Sequence, residues 1–163
     1  VADRYSSKWG PFFNSTAPTS SVFSVGTDSA INTGSGTHIA YLFAGKQGFS
    51  KFGSYKGNGN ADGTFVFTGM RPAMVIIKGT ASNREWILAD NKRDPHNEVD
   101  AVIYGNVSDA EGDSDMMDFL SNGFKLRHAS GPGTINTSGE TYVYMAFAEQ
   151  TLVNSNGVPG NAR

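Results

Sequence analysis

The sequence predicts an all-β protein, an antiparallel β-sandwich or jelly-roll-like fold with few or no helices. Three observations point there. Short segments rich in β-branched and aromatic residues recur along the chain, each bounded by Gly, Asn, Ser, Asp or Pro. No window of about a dozen residues carries an apolar stripe of helical period. The composition, with 20 glycines, 12% aromatic and 17% charged residues, suits many turns and lacks the charged surface helices of a helical domain.

Taken in order, the predicted strands are SSVFSV (20–25), THIAYLFA (37–44), TFVFTG (64–69), AMVIIKG (73–79), REWILAD (84–90), AVIYG (101–105), GFKLRH (123–128) and ETYVYMAFA (140–148). The linker TASN is close to hairpin length, so 73–79 and 84–90 are expected to pair with each other. Alternation in the last strand puts Tyr142, Tyr144, Ala146 and Ala148 on one face and Val143, Met145 and Phe147 on the other. In DSDMMDFLSNG (113–123) a single helical turn competes with a short strand, and MMDFL is assigned to strand.

Several functional classes drop out. A formal charge of −2 offers no general attraction to nucleic acid or to an anionic membrane surface. The chain has no cysteine, which removes disulfides, thiolate metal sites and a cysteine nucleophile together. No apolar run approaches the roughly 20 residues that span a bilayer, so membrane insertion is not expected. His38, His96 and His128 stand far apart, no G-x-S-x-G elbow is present, and GKQ at 45–47 departs from a P-loop. The start at Val1 rather than methionine fits a processed chain or a piece of a longer one.

Three polar stretches carry candidate chemistry. GNGNADGTF (57–65) alternates Asn58, Asn60 and Asp62 before Gly63, like the start of a calcium loop, but Asn rather than Asp stands first and Gly69 stands where the bidentate glutamate belongs, so the stretch is read as a turn launching a strand. Asp109, Glu111, Asp113 and Asp115 alternate in SDAEGDSDMMD, with Asp118 after them. Such carboxylates suit Ca2+, and a solvated acidic loop is the competing reading. KRDPHNEVD (92–100) gathers Lys92, Arg93, Asp94, His96, Glu98 and Asp100 after a strand. A general acid and base could sit there, yet an exposed salt-bridged turn or a loop presenting hydrogen-bonding groups to a partner explains it as well. As a ligand-binding surface the candidates are Trp86, Asp90, Lys92, Arg93 and His96, an aromatic platform beside polar groups. No catalytic set is assigned, and apart from Ca2+ no cofactor is expected.

The chain repeats itself once. INTGSGTHIAYLFAG (31–45) and INTSGETYVYMAFAE (135–149) share Ile, Asn, Thr, Thr, Phe and Ala at equivalent positions. Their separation of about 100 residues is the size of a small domain rather than of a solenoid repeat. The expectation is a segment 1–45 like the end of a preceding module, a β-sandwich module over 46–150 and a C-terminal tail over 151–163. Two strands of one domain converging on a similar pattern is the alternative.

The order of motifs GFSKFGSYKGNGNADGTFVFTGMRPAMVIIKGT, WILADNKRDPHN, SDAEG, DFLSNGFKLR and INTSGETYVYMAFAE resembles a domain of unknown function found in large structural proteins of tailed phages, particularly aquatic and marine ones. The resemblance covers about Phe49 to Gln150, and VNSNGVPGNAR resembles the C-terminal end of such proteins. It implies a module of a tail-fibre-like or other virion-surface protein, often beside concanavalin-like sandwiches, with no enzymatic activity and no site residues to carry over. Other virion proteins, host-surface polysaccharide and further copies of the chain are the partners it implies, and fibre proteins of this kind are commonly trimers. The resulting expectation is a non-enzymatic virion protein for assembly and host attachment, with capsid decoration or glycan degradation as alternatives.

Overall fold

The computed structural model describes residues 10–128 and 135–149, excluding the side chains of residues 10, 11 and 113–115. The predicted C-terminal tail (151–163) lies outside the described residues. The chain divides into two compact units, Val1–Phe43 and Ala44–Arg163.

The first unit holds one short helix, α1 (Gly10–Phe13), and no strand among its described residues. The strand expected at 20–25 is absent because local side chains satisfy the backbone instead. The Thr19 hydroxyl accepts from Val22 N–H at 3.0 Å and from Ser21 N–H at 3.3 Å. Such local bonds offer the chain an alternative to a ladder. The strand expected at 37–44 is also absent. Its apolar side chains are exposed, Tyr41 at 80% and Ile39 at 78%.

The second unit is all-β. Its strands are β1 (Ser50–Lys56), β2 (Phe65–Phe67), β3 (Pro72–Gly79), β4 (Trp86–Asp90), β5 (Val99–Tyr104), β6 (Gly112–Leu120), β7 (Gly123–Leu126) and β8 (Thr141–Ala148). They form one antiparallel sheet in the order β1-β8-β3-β4-β5-β6-β7-β2. The expected all-β antiparallel fold is what these strands build, and the sheet curls towards closure so that one face encloses the core. The expected hairpin forms, with Ile77 opposite Ile87 and Lys78 opposite Trp86. MMDFL lies in β6, as a strand.

Alternation decides the core. Tyr142, Tyr144 and Ala146 of β8 point inward with Val75 and Ile77 of β3, Ile87 and Ala89 of β4, and Phe124 and Leu126 of β7. Tyr55 of β1 stacks on Tyr142 at 5.2 Å and meets Phe124 edge-on at 6.0 Å. Its hydroxyl donates to the Ile135 carbonyl at 2.8 Å, so the ring is buried without an unpaired polar end. Truncating a fully buried ring such as Phe124 costs roughly 3–5 kcal/mol.

β1 was not predicted, because SKFGSYK carries two lysines, a glycine and two serines. Its pairing explains the glycine. Gly53 sits opposite Tyr144, and a Cβ there would lie 2.8 Å from the Tyr144 hydroxyl. Pairing along its whole length with β8 makes the segment a strand, and glycine at 53 leaves the room that the Tyr144 ring occupies.

Candidate functional site

The predicted ligand residues begin on β4. Trp86, Leu88 and Asp90 share its outer face while Ile87 and Ala89 are buried, as a period of two requires. Trp86 is 40% exposed at the start of the strand. Asp90 lies four residues further, about 13 Å at the usual strand rise.

Asp90 organises the turn that follows. Its Oδ1 accepts from the N–H groups of Lys92 at 2.9 Å and Arg93 at 3.0 Å, and its Oδ2 accepts from Arg93 Nε at 2.8 Å. Partial burial acts to raise the Asp90 pKa, but the bonds from Arg93 and Lys92 together outweigh it and hold the carboxyl below its ordinary value. Arg93 also donates to Glu111 Oε2 at 3.0 Å. One residue on, Asp94 Oδ2 accepts from the N–H groups of Ala101 at 2.7 Å and Asp100 at 2.9 Å. Those backbone bonds, Ala101's first, keep Asp94 ionised below its usual range.

The structure therefore brings Asp90 and Arg93 together with Glu111, and leaves Trp86 at the other end of the strand. Lys92 and His96 are exposed, and their side chains have no hydrogen-bond or ion-pair partner among the described residues. This geometry is that of a self-satisfied salt-bridged turn. It contains no nucleophile and base in contact.

The acidic alternation is split in the same way. Asp109 is exposed, Glu111 faces Arg93, and Asp113 and Asp115 belong to β6 rather than to a loop, their side chains outside the described set. Asp118 is buried and bonds Arg127. Among the described residues no three His, Asp or Glu side chains converge as a metal site. In the 57–65 stretch the oxygens that suggested a calcium loop cap the backbone: Asn58 Oδ1 accepts from Asn60 N–H and Asn60 Oδ1 from Asp62 N–H, each at 3.0 Å.

A second site was invisible to sequence reasoning because it depends on β1. The edge strands β1 and β2 approach at one end, where the Thr64 hydroxyl donates to the Lys56 carbonyl at 2.8 Å. At the other end they diverge around an open groove of about 660 Å³. Phe52 and Lys51 of β1, Phe67 of β2, Thr68 and Gly69 after it, and the turn residues Lys46 and Gln47 are among its lining. The turn is held by mutual backbone bonds between Lys46 and Ser50, and Gly48 within it takes a φ of 71°. Phe67 is 63% exposed, and both lysines are exposed. The wall thus offers a ring face, ammonium groups, an amide and a hydroxyl, without a carboxylate.

The loop between β1 and β2 is anchored from beneath. Asn136, fully buried, donates through Nδ2 to the carbonyls of Asn60 and His128, each at 2.8 Å, and accepts from Asn58 N–H at 2.9 Å. The echo residue Asn32 donates to the Gly26 carbonyl at 2.7 Å, so both copies of the INT motif use asparagine to tie down a loop.

Residues 2–151 match the family described as Domain of unknown function (DUF7483), a match that runs through both compact units. No curated protein and no solved structure matches the chain.

Proposed function

We propose, from the premise that the chain belongs to the DUF7483 family, that it is a non-enzymatic virion-surface module of a tailed phage, of tail-fibre type, which attaches to acidic glycans on the host surface. The observation that carries the reading is the groove between β1 and β2, where exposed Phe67 stands beside Lys46, Lys51 and Gln47. Aromatic faces stack on sugar rings, ammonium groups pair with sugar carboxylates, and amides bond ring hydroxyls. A groove flanked by two strands holds these groups on a stiff frame. The phage setting rests on the resemblance of the motif order, and the exposed ring and ammonium groups of the groove support a binding role.

The test uses the purified chain with acidic and neutral bacterial polysaccharides. Binding should favour the acidic polymer and weaken with salt, since exposed charges are screened. Phe67→Ala, and Lys46→Ala with Lys51→Ala, should each weaken it at least about tenfold, some 1.4 kcal/mol. Binding that ignores these substitutions, or none to polysaccharide from a permissive host, sinks the attachment reading. Release of reducing ends would establish an enzyme instead. Labelled antibody on intact particles separates a fibre from a capsid decoration protein.

A further inference from the structure

We propose that the chain cuts itself once, at the peptide bond between Asp94 and Pro95, with the Asp94 carboxylate as nucleophile and the Asp100 carboxyl as proton donor. Such a single-turnover cut modifies the loop between β4 and β5 and is independent of what the groove binds.

The bond is singular in this sequence. Of the six prolines only Pro95 follows an aspartate. An aspartate carboxylate reaches its own carbonyl carbon by closing a five-membered ring, and a nucleophile held within the same residue reacts as if at very high concentration. Proline is the better leaving group, because its nitrogen belongs to a tertiary amide and is more basic than an ordinary amide nitrogen.

The fold equips both groups. The N–H groups of Ala101 and Asp100 converge on Asp94 Oδ2 at 2.7 Å and 2.9 Å, and the bond from Ala101 does most to hold the carboxyl ionised below its usual range. The Asp100 side chain also hydrogen-bonds to Asp94. Two carboxyls in contact share one proton, and the backbone bonds to Asp94 leave that proton on Asp100. Asp90 also acts on Asp94 through its charge, and Arg93 joins Asp90 to Glu111 beside it. Ala101 pairs with Asp113 of β6, whose side chain lies outside the described residues. Pro95 and His96 are exposed, so water reaches the bond.

In the first step an Asp94 side-chain oxygen bonds to the Asp94 carbonyl carbon and the C–N bond breaks. The Pro95 nitrogen takes the proton of Asp100, which leaves a cyclic anhydride and the Asp100 carboxylate. Water then opens the anhydride to the Asp94 side-chain carboxylate and a new α-carboxylate. Of the two protons released, one returns to Asp100 and one goes to the Pro95 amine. The halves stay together, since four ladders, β1 with β8, β3 with β8, β4 with β5 and β2 with β7, each join a strand before the cut to one after it.

The test incubates the purified full chain at about pH 4.5, just above the ordinary aspartate pKa of about 3.9. Mass spectrometry under denaturing conditions should show two products, 1–94 and 95–163, while gel filtration in the same buffer still shows one particle. The rate should not depend on protein concentration. It should be at least about tenfold faster than in urea, where the chain keeps the bond but loses the Asp100 contact. Asp100→Asn should slow the cut by about tenfold or more and Pro95→Ala should abolish it, with thermal melts showing that each variant stays folded. An intact chain, an unchanged rate in Asp100→Asn, or equal rates folded and in urea overturns the proposal, the last leaving only the ordinary acid lability of an Asp–Pro bond.

Discussion

Replacing Asn136 by alanine tests the reasoning most directly. The side chain has no exposed surface and makes four hydrogen bonds, to Asn58 Oδ1 and N–H, Asn60 O and His128 O. Asn58 Oδ1 keeps its bond to Asn60 N–H, so that loss is minor. Three backbone groups lose their partner, and at a net value of about 1 kcal/mol each the cost is about 3 kcal/mol. For a domain of this size that lowers Tm by on the order of 10 °C. In urea the midpoint should fall while the slope stays constant, because the buried surface is unchanged. Asn136→Asp sharpens the test. It keeps the shape but aims a carboxylate at three acceptors, so near neutral pH it should be less stable than the alanine variant and recover as acid protonates it. An alanine variant within about 1 kcal/mol of the parent, or an aspartate variant as stable as asparagine, would refute the anchoring role.

Three further outcomes follow from the same geometry. Arg84 donates to Glu140 at 2.9 Å through Nε, and that bond holds the Glu140 carboxyl below its ordinary value. A depressed folded pKa stabilises above the unfolded value, about 4.3, and the contribution fades as pH falls through the folded one. The stability gap between parent and Glu140→Gln should therefore shrink in acid; a gap constant with pH, read by urea unfolding, contradicts this. At Gly123 a Cβ would lie 2.1 Å from the Val66 carbonyl oxygen, so Gly123→Ala should lose about 3 kcal/mol or fail to fold. Gly139→Ala meets nothing within 4 Å and costs only the left-handed φ of 76°, roughly 1–2 kcal/mol, so the opposite ranking in thermal melts would show the β2–β7 contact misread. With Glu111 held by Arg93, added Ca2+ should leave the melting temperature unchanged, and a rise would restore the acidic stretch as a metal site.

Residue pattern alone determined the all-β character and placed β2 to β5, β7, β8 and the MMDFL half of β6, because most of these are short β-branched or aromatic runs between turn formers, and it grouped Tyr142 and Tyr144 on one face of β8. Tertiary structure decided the rest. Lys51, Gly53 and Ser54 disguise β1, which becomes a strand because it pairs with β8 along its length, Tyr144 taking the space that Gly53 leaves. The groove with Lys46, Lys51 and Phe67 exists only where two sheet edges diverge, and residues distant in sequence define that gap. Arg93 reads locally as a ligand group, but the fold sets Glu111 against it and commits both to the turn. The repeated INT…FA pattern shows the division most plainly. Residues 141–148 and 37–44 carry nearly the same alternation, yet among the described residues only 141–148 forms a strand, laid between β1 and β3.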